Sequence, residues 1–312
     1  MKIHTGAHEF ESEKPTVVTI GTFDGVHAGH QKIIARLVDS AKVNNLESVI
    51  LTFFPHPRMV LQKESGIKLI NTIFERTEIL EQSGIHHLVI HPFTMQFSRL
   101  SAREFVKEIL VEKLKAKKVI IGYDHRFGRN RTADINDLKA FGEEFDFEVE
   151  EITRQDIEEV AVSSTKIRNA LEEGLVEKAN TYLKHPFSVE GEVVRGRGLG
   201  KEFGFPTANI KVEEDYKLIP KNGVYVVRSK IDGENFFGMM SIGTNPTVGG
   251  VSKTIETYFF DLDKDLYGKI IKIDLLIRIR DEKKFDSVEE LKLAMRQDQA
   301  FSNQYIKDNY VE

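Results

Sequence analysis

Near residue 186 this 312-residue chain changes its repeating pattern: strands and helices alternate before that point, and strands follow one another after it. One layered core cannot serve both patterns. The sequence therefore predicts two domains, 1–185 and 186–312, each long enough to bury a core of its own. In the first, 16–21, 48–54, 87–90, 118–122 and 147–152 read as short buried strands. Between them, 30–44, 71–83 and 135–145 have helical spacing, and Ser101 with Glu104 opens another helix through a capping box. A last helix is expected over 165–173. This alternation is the signature of an α/β fold, a parallel sheet covered by helices. In the second domain, 189–194, 207–212, 224–231, 236–242, 254–260 and 270–278 read as strands, with Asp232-Gly233 as a hairpin turn. A helix over 287–305, started by Ser287 and Glu290, ends the chain. Short strands closed by one helix predict a small antiparallel β-barrel.

Composition narrows the partners. Lys and Arg number 44 against 49 Asp and Glu, a net charge of −5. That balance argues against a coat for nucleic acid or anionic membrane. It leaves room for small anions bound locally, and no oligomeric state follows from it. With no cysteine, disulfides, iron–sulfur clusters and thiolate zinc are excluded. The first 13 residues carry no signal-like apolar run, and no stretch approaches the ~20 apolar residues of a membrane span. The expectation is a cytoplasmic protein that handles small molecules.

The segment Gly21-Thr-Phe-Asp-Gly-Val-His-Ala-Gly-His30 joins a strand to a helix. In an open parallel sheet, ligands bind at that junction. Gly21, Gly25 and Gly29 allow tight turning and close approach, while Phe23 and Asp24 lie between them. His27 and His30 sit at the helix start, where free N–H groups and the helix dipole favour phosphate. Two exposed turn histidines, or half of a metal site, are the competing readings. Late in the same domain, Ser163, Ser164 and Thr165 open a helix and Arg168 follows one turn on, a second anion-binding arrangement or a plain cap with a surface arginine.

Together these segments resemble the nucleotidyltransferase superfamily, with its HxGH and ISSTxxR motifs; Val162 replaces the leading Ile. The resemblance implies a Rossmann-like domain in which His27, His30, Ser164, Thr165 and Arg168 contact nucleotide phosphates. It implies attack of an acceptor phosphate on the α-phosphate of ATP, with Mg²⁺ bridging, pyrophosphate released and no covalent intermediate. Three further segments, Thr52-Phe-Phe-Pro55-His56-Pro57, 97–101 and Gly122-Tyr-Asp124-His-Arg-Phe127-Gly128, look like the FMN-adenylylating module of bacterial FAD synthetases. There they surround the flavin, which implicates Pro55, His56, Pro57, Asp124 and Phe127. His125 stands where that family more often has Phe, and Arg131-Thr-Ala-Asp134 replaces a commonly Gly-rich stretch.

In the second domain Arg195-Gly196-Arg-Gly198-Leu-Gly200 is a basic glycine loop. It is not a P-loop, because Glu202 stands where Ser or Thr is required. Pro206, Thr207 and Asn209 follow, and Thr207 and Asn209 point to one face if they lie on a strand. Glu256, Tyr258 and Phe260 share a strand face, and a carboxylate in so apolar a strand needs a partner or a task. The order of loop, PTAN and ETYFFD resembles riboflavin kinase. That resemblance implies Mg-ATP held by Thr207 and Asn209, phosphates covered by Gly196, Gly198 and Gly200, Glu256 as general base, and Arg296 and Asp298 near the flavin. The whole chain is thus similar to prokaryotic FAD synthetases that carry both activities, converting riboflavin to FMN and FMN to FAD. A flavin-sensing or RNA-binding protein without turnover, or a nucleotidyltransferase with another acceptor, are the alternatives.

Overall fold

The computed structural model describes residues 1–62, 66–123, 125–153, 162–196, 200, 204–247 and 250–310, with the side chains of 245–252 left aside. Two compact units result, Met1–Ser164 and Thr165–Glu312.

The first unit is a six-stranded parallel sheet in the order β1-β4-β3-β2-β5-β6. Its elements run β1 (Lys2–His4), β2 (Thr16–Ile20), α1 (Ala28–Val43), β3 (Glu47–Phe54), α2 (Pro57–Leu61), α3 (Ile73–Glu81) and β4 (His87–Pro92). The one-turn α4 (Ala102–Glu104), continued by the π-helical Phe105–Lys113, then leads to β5 (Ala116–Gly122), α5 (Ile135–Phe145) and β6 (Glu148–Ile152). The two-residue strand period divides the core. Val18, Leu51, Val119 and Ile121 face one layer with Phe105, Leu110 and Leu138. Val17, Ile50, Leu88 and Ile120 face the other with Ile34, Leu37 and Leu80. From β2 the chain winds to β3 and β4 on one side, and from β5 to β6 on the other. The switch point therefore falls between the carboxyl ends of β2 and β5.

The second unit begins one residue into α6 (Ser164–Glu173), which α7 (Val176–Leu183) follows. A closed antiparallel barrel follows, in the order β10-β11-β8-β7-β12-β9. Its strands are β7 (Phe187–Val194), β8 (Ala208–Lys211), β9 (Gly223–Ile231), β10 (Glu234–Thr247), β11 (Gly250–Phe259) and β12 (Ile270–Arg280). Asp232 and Gly233 turn the β9–β10 hairpin with φ of 52° and 90°, both left-handed as a type I′ turn requires. The final helix α8 (Val288–Tyr310) lays Ile306 against Val226 and Leu276.

The expected elements all appear, most with shifted ends. Among the described residues β1, α2, α7 and three one-turn 3-10 helices, Ala7–Glu9, Phe97–Arg99 and Arg129–Arg131, were not anticipated. At α8 the Ser287 hydroxyl accepts the Glu290 N–H at 3.2 Å, but the Glu290 carboxylate reaches back to Asp286 N–H rather than completing the box at Ser287.

Candidate active sites

The first site is built on the turn that follows β2. Phe23, Gly25 and Val26 all have left-handed backbones, with φ of 48°, 85° and 38°. Gly25 adopts that conformation freely, whereas a bulky and a β-branched residue do so at about 1–3 kcal/mol each. The surroundings hold them there. Both side chains are buried in the core. The fully buried Asp24 carboxylate accepts the Ile70 N–H at 3.0 Å and the Asn71 N–H at 3.2 Å. The Ser164 hydroxyl donates to the Asp24 carbonyl at 2.9 Å, and the Gln31 carboxamide to the Val26 carbonyl at 2.9 Å. Arg76, from α3, donates to the Thr22 carbonyl at 2.7 Å and lies 3.9 Å from Asp24 Oδ1.

This turn delivers two imidazoles to the mouth of α1. His27 is the N-cap, and its Nδ1 accepts the His30 N–H at 3.4 Å. The two rings stack with centroids 3.7 Å apart, and Phe23 lies 5.0 Å from His30. Burial first, then His27 and Arg76, hold the His30 imidazole well below its usual range, so it is neutral near pH 7. Its Nδ1 is buried with no hydrogen-bond partner. A neutral ring of this kind, at a helix N-terminus, is suited to an arriving anion. Asp24 turns its carboxylate inward and acts as the post of the turn. In α6 the Thr165 side chain is exposed and Arg168 half-buried.

Beside the switch point, the ends of β3 and β4 carry an aromatic wall. Phe53 lies 5.7 Å from Phe93 and 5.6 Å from Phe97, and Phe97 in turn 6.0 Å from Phe105. Phe127 continues the series 6.0 Å from Phe105, with the His125 ring stacked 6.2 Å beyond it. Phe105 and Phe127 are buried in the core, while the half-buried Phe53, Phe93 and Phe97 are the rings of this series with surface a flat heterocycle could stack on. The Phe54–Pro55 peptide is cis, and His56 caps α2 by accepting the Arg58 N–H at 3.1 Å, with Pro57 at the first helical position. Gly128 (φ 72°) brings the loop against α4, where a Cβ would lie 2.8 Å from the Ala102 nitrogen. Asp124 lies outside the described residues.

The second site lies on the outer face of the barrel. Glu256 on β11 pairs directly with Asn209 on β8 and with Ser241 on β10. Directly opposed residues share a sheet face, so Asn209 and Glu256 are neighbours as the sequence pattern required. Thr207 completes the group, its hydroxyl donating to Glu256 Oε2 at 3.3 Å. This is the partner that a carboxylate in an apolar strand needs. Tyr258 and Phe260 extend the same face and pack with Phe205 and Met295. The two described loop glycines fit around this group. A Cβ on Gly196 would stand 2.5 Å from Asn209 Cγ and 2.7 Å from its Oδ1. One on Gly200 would meet the Phe205 carbonyl and lie 3.1 Å from Thr207 Oγ1. Pro206 links the two sets, and Gly198 lies outside the described residues.

The structure separates Arg296 and Asp298. Arg296 is exposed on α8. Asp298 is buried and takes a bidentate pair from Arg280 of β12, at 2.9 and 2.8 Å, tying the helix to the barrel. Arg76 was missed by sequence reasoning. The helix expected over 71–83 contains it, but nothing in the pattern distinguished it from a surface arginine.

An α/β unit with stacked imidazoles at a helix mouth, and a barrel with a Thr–Asn–Glu group, are the frame of a nucleotide-using transferase with two sites. Comparison with known proteins gives the family. Residues 9–166 match the FAD synthetase model and residues 183–306 the riboflavin kinase model. The chain is 37% identical over 285 residues to the bifunctional riboflavin kinase/FMN adenylyltransferase of Listeria monocytogenes, covering 91% of this chain and 90% of that one. It is 32% identical over 308 residues to the Escherichia coli K12 protein of the same name, covering 98% of each. A solved structure described as a macrolide-efflux protein from Streptococcus pneumoniae superposes with a TM-score of 0.87 at 32% identity, covering 99% of both chains. The chain belongs to the bifunctional riboflavin kinase/FMN adenylyltransferase family. Among the described residues no helix is long and apolar enough to cross a membrane.

Proposed function

We propose that the barrel phosphorylates riboflavin at Glu256, and that the α/β unit adenylylates the resulting FMN at His27 and His30. The observation that carries the reading is the pairing of Glu256 with Asn209 and Thr207 on one barrel face. In the kinase reaction Glu256 takes the proton of the ribityl terminal hydroxyl as its oxygen attacks the γ-phosphorus of ATP, and ADP leaves. Gly196, Gly198 and Gly200 let the loop approach the phosphates, and Pro206 sets the strand start. The Thr207 hydroxyl, the Asn209 carboxamide oxygen and the Glu256 carboxylate are hard oxygen donors of the kind Mg²⁺ takes. Thr207 and Asn209 would hold it; when bound with ATP, Mg²⁺ neutralises phosphate charge.

In the transferase reaction a phosphate oxygen of FMN attacks the α-phosphorus of ATP, and pyrophosphate leaves. His27, His30, the turn around Gly21, Phe23, Gly25 and Gly29, and Ser163, Ser164, Thr165 and Arg168 bind and orient the phosphates. Asp24 keeps the turn in shape. Pro55, His56, Pro57, Asp124 and Phe127, beside the aromatic wall, take the flavin. Arg296 and Asp298 bound the barrel's flavin side, Asp298 by fixing α8. We place the functional division at 185/186, close to where the riboflavin kinase match begins at residue 183. The proposed location is the cytoplasm, where ATP and Mg²⁺ are at hand, with small molecules as partners and no nucleic acid. Incubation with riboflavin and Mg-ATP, followed by chromatography, tests the reading: FMN should appear first and FAD after it. No flavin product from folded protein would contradict it.

A further inference from the structure

The strained turn that carries the imidazoles is braced from outside by a residue that belongs to neither phosphate motif. Arg76 is 1% exposed, and a buried guanidinium gives up its hydration. Asp24 lies 3.9 Å away and is already satisfied by two backbone N–H groups. Arg76 donates at 2.7 Å to the carbonyl of Thr22, directly before the left-handed Phe23. A charged donor makes a stronger bond to a carbonyl than a neutral one, which is what a turn with two strained residues requires.

We propose that Arg76 is a positioning residue for adenylyl transfer: as a buried cation it clamps the Thr22–Val26 turn, and so fixes how His27 and His30 meet the nucleotide phosphates. This rests on the adenylyltransferase reading of the site. The same charge also faces His30. Among the described residues, the charged or titratable groups acting on that imidazole are His27 from the helix cap and Arg76 from α3, and both oppose its protonation. Asp24, in the same turn, directs its carboxylate to Arg76 and to the 70–71 amides. Burial, then His27, oppose protonation of His30 most, and Arg76 acts in the same direction.

The test compares wild type, Arg76→Lys and Arg76→Gln. Gln keeps a donor for the Thr22 carbonyl but no charge; Lys keeps the charge as a point cation. Each protein is assayed for FMN adenylylation with separate kcat and KM for ATP, and His30 is titrated by side-chain NMR. Arg76→Gln should lose about 10²-fold in kcat, the scale of a misplacement of about 1 Å. Its His30 midpoint should rise, because one of the charges opposing protonation is gone. Arg76→Lys should stay within about tenfold of wild type in kcat, with the wild-type His30 midpoint. Wild-type kcat and midpoint in Arg76→Gln, or a Lys protein as defective as the Gln protein, would overturn the proposal. Should Arg76→Gln not fold, Arg76→Lys decides alone: rescue supports the clamp, and a loss of about 10²-fold sinks it. A wild-type protein that makes no FAD from FMN would instead sink the adenylyltransferase reading beneath it.

Discussion

Adding one methyl group at Gly196 should disable the kinase while leaving the protein folded. A Cβ there would lie 2.5 Å from Asn209 Cγ and 2.7 Å from Oδ1, and closer still to Nδ2. Ordinary contact needs about 3.5 Å or more, so the Asn209 carboxamide must retreat by about 1 Å. Only the end of a side chain has to move, and Gly196 is exposed, so the stability cost should stay within about 1 kcal/mol. The functional cost should be larger. Asn209 pairs with Glu256 on the adjacent strand, and a misplacement of about 1 Å in a reacting constellation costs about 10²-fold. Riboflavin phosphorylation by Gly196→Ala, followed as FMN formation, should fall by about 10²-fold. Adenylylation of supplied FMN and the unfolding midpoint should remain those of wild type. A kinase rate within about threefold of wild type would refute the idea that Asn209 must occupy this position.

Three further outcomes follow from the geometry. Asp298→Asn leaves the half-buried Arg280 without its carboxylate; discounting the full buried-pair cost of about 3–5 kcal/mol for the exposure of Arg280, about 1–3 kcal/mol of stability should be lost. Hydrogen exchange in α8 should accelerate, and unchanged exchange would refute the tie. Burial holds the imidazoles of His30, His87 and His91 below the ordinary 6.5, against a bond from His87 to Glu47 that pulls the other way. The unfolded chain then binds protons more readily than the fold. The stability these groups contribute is present above pH 6.5 and lost as pH falls through their folded values. The unfolding midpoint of the α/β unit should therefore drop from pH 7 to pH 5, and a flat profile would count against it. Glu256→Gln should lower riboflavin phosphorylation by about 10²–10⁴-fold, as loss of a general base does, with the FMN-to-FAD rate as the unaffected control.

The sequence showed the frame and the chemistry because both depend on local pattern. The 135–145 helix was legible to the residue, and Asp232-Gly233 was legible because only a few residues adopt left-handed φ cheaply. Thr207, Asn209 and Glu256 converge because a two-residue period fixes faces, and pairing Asn209 opposite Glu256 does the rest. What was hidden depended on tertiary context. β1 is three residues long and acquires its identity only by pairing with β4. In α7, Asn180 spends its side chain outward, donating to the Leu275 carbonyl and accepting from the Phe187 N–H, which no periodicity reports. Asp24 looks like a phosphate-loop polar residue, yet its carboxylate is buried under the turn. Arg76 looks like a surface cation and is not, because burial of a charge is decided by the element that covers it.

If two independent transfer sites share this chain, their defects must complement each other in a mixing experiment. His30→Ala and Glu256→Gln proteins would each be given riboflavin and Mg-ATP, alone and together. The first alone should stop at FMN, the second alone should leave most riboflavin unchanged, and the mixture should make FAD after a lag while FMN accumulates. Folded His30→Ala protein that no longer makes FMN, or a mixture that makes no FAD, would contradict it.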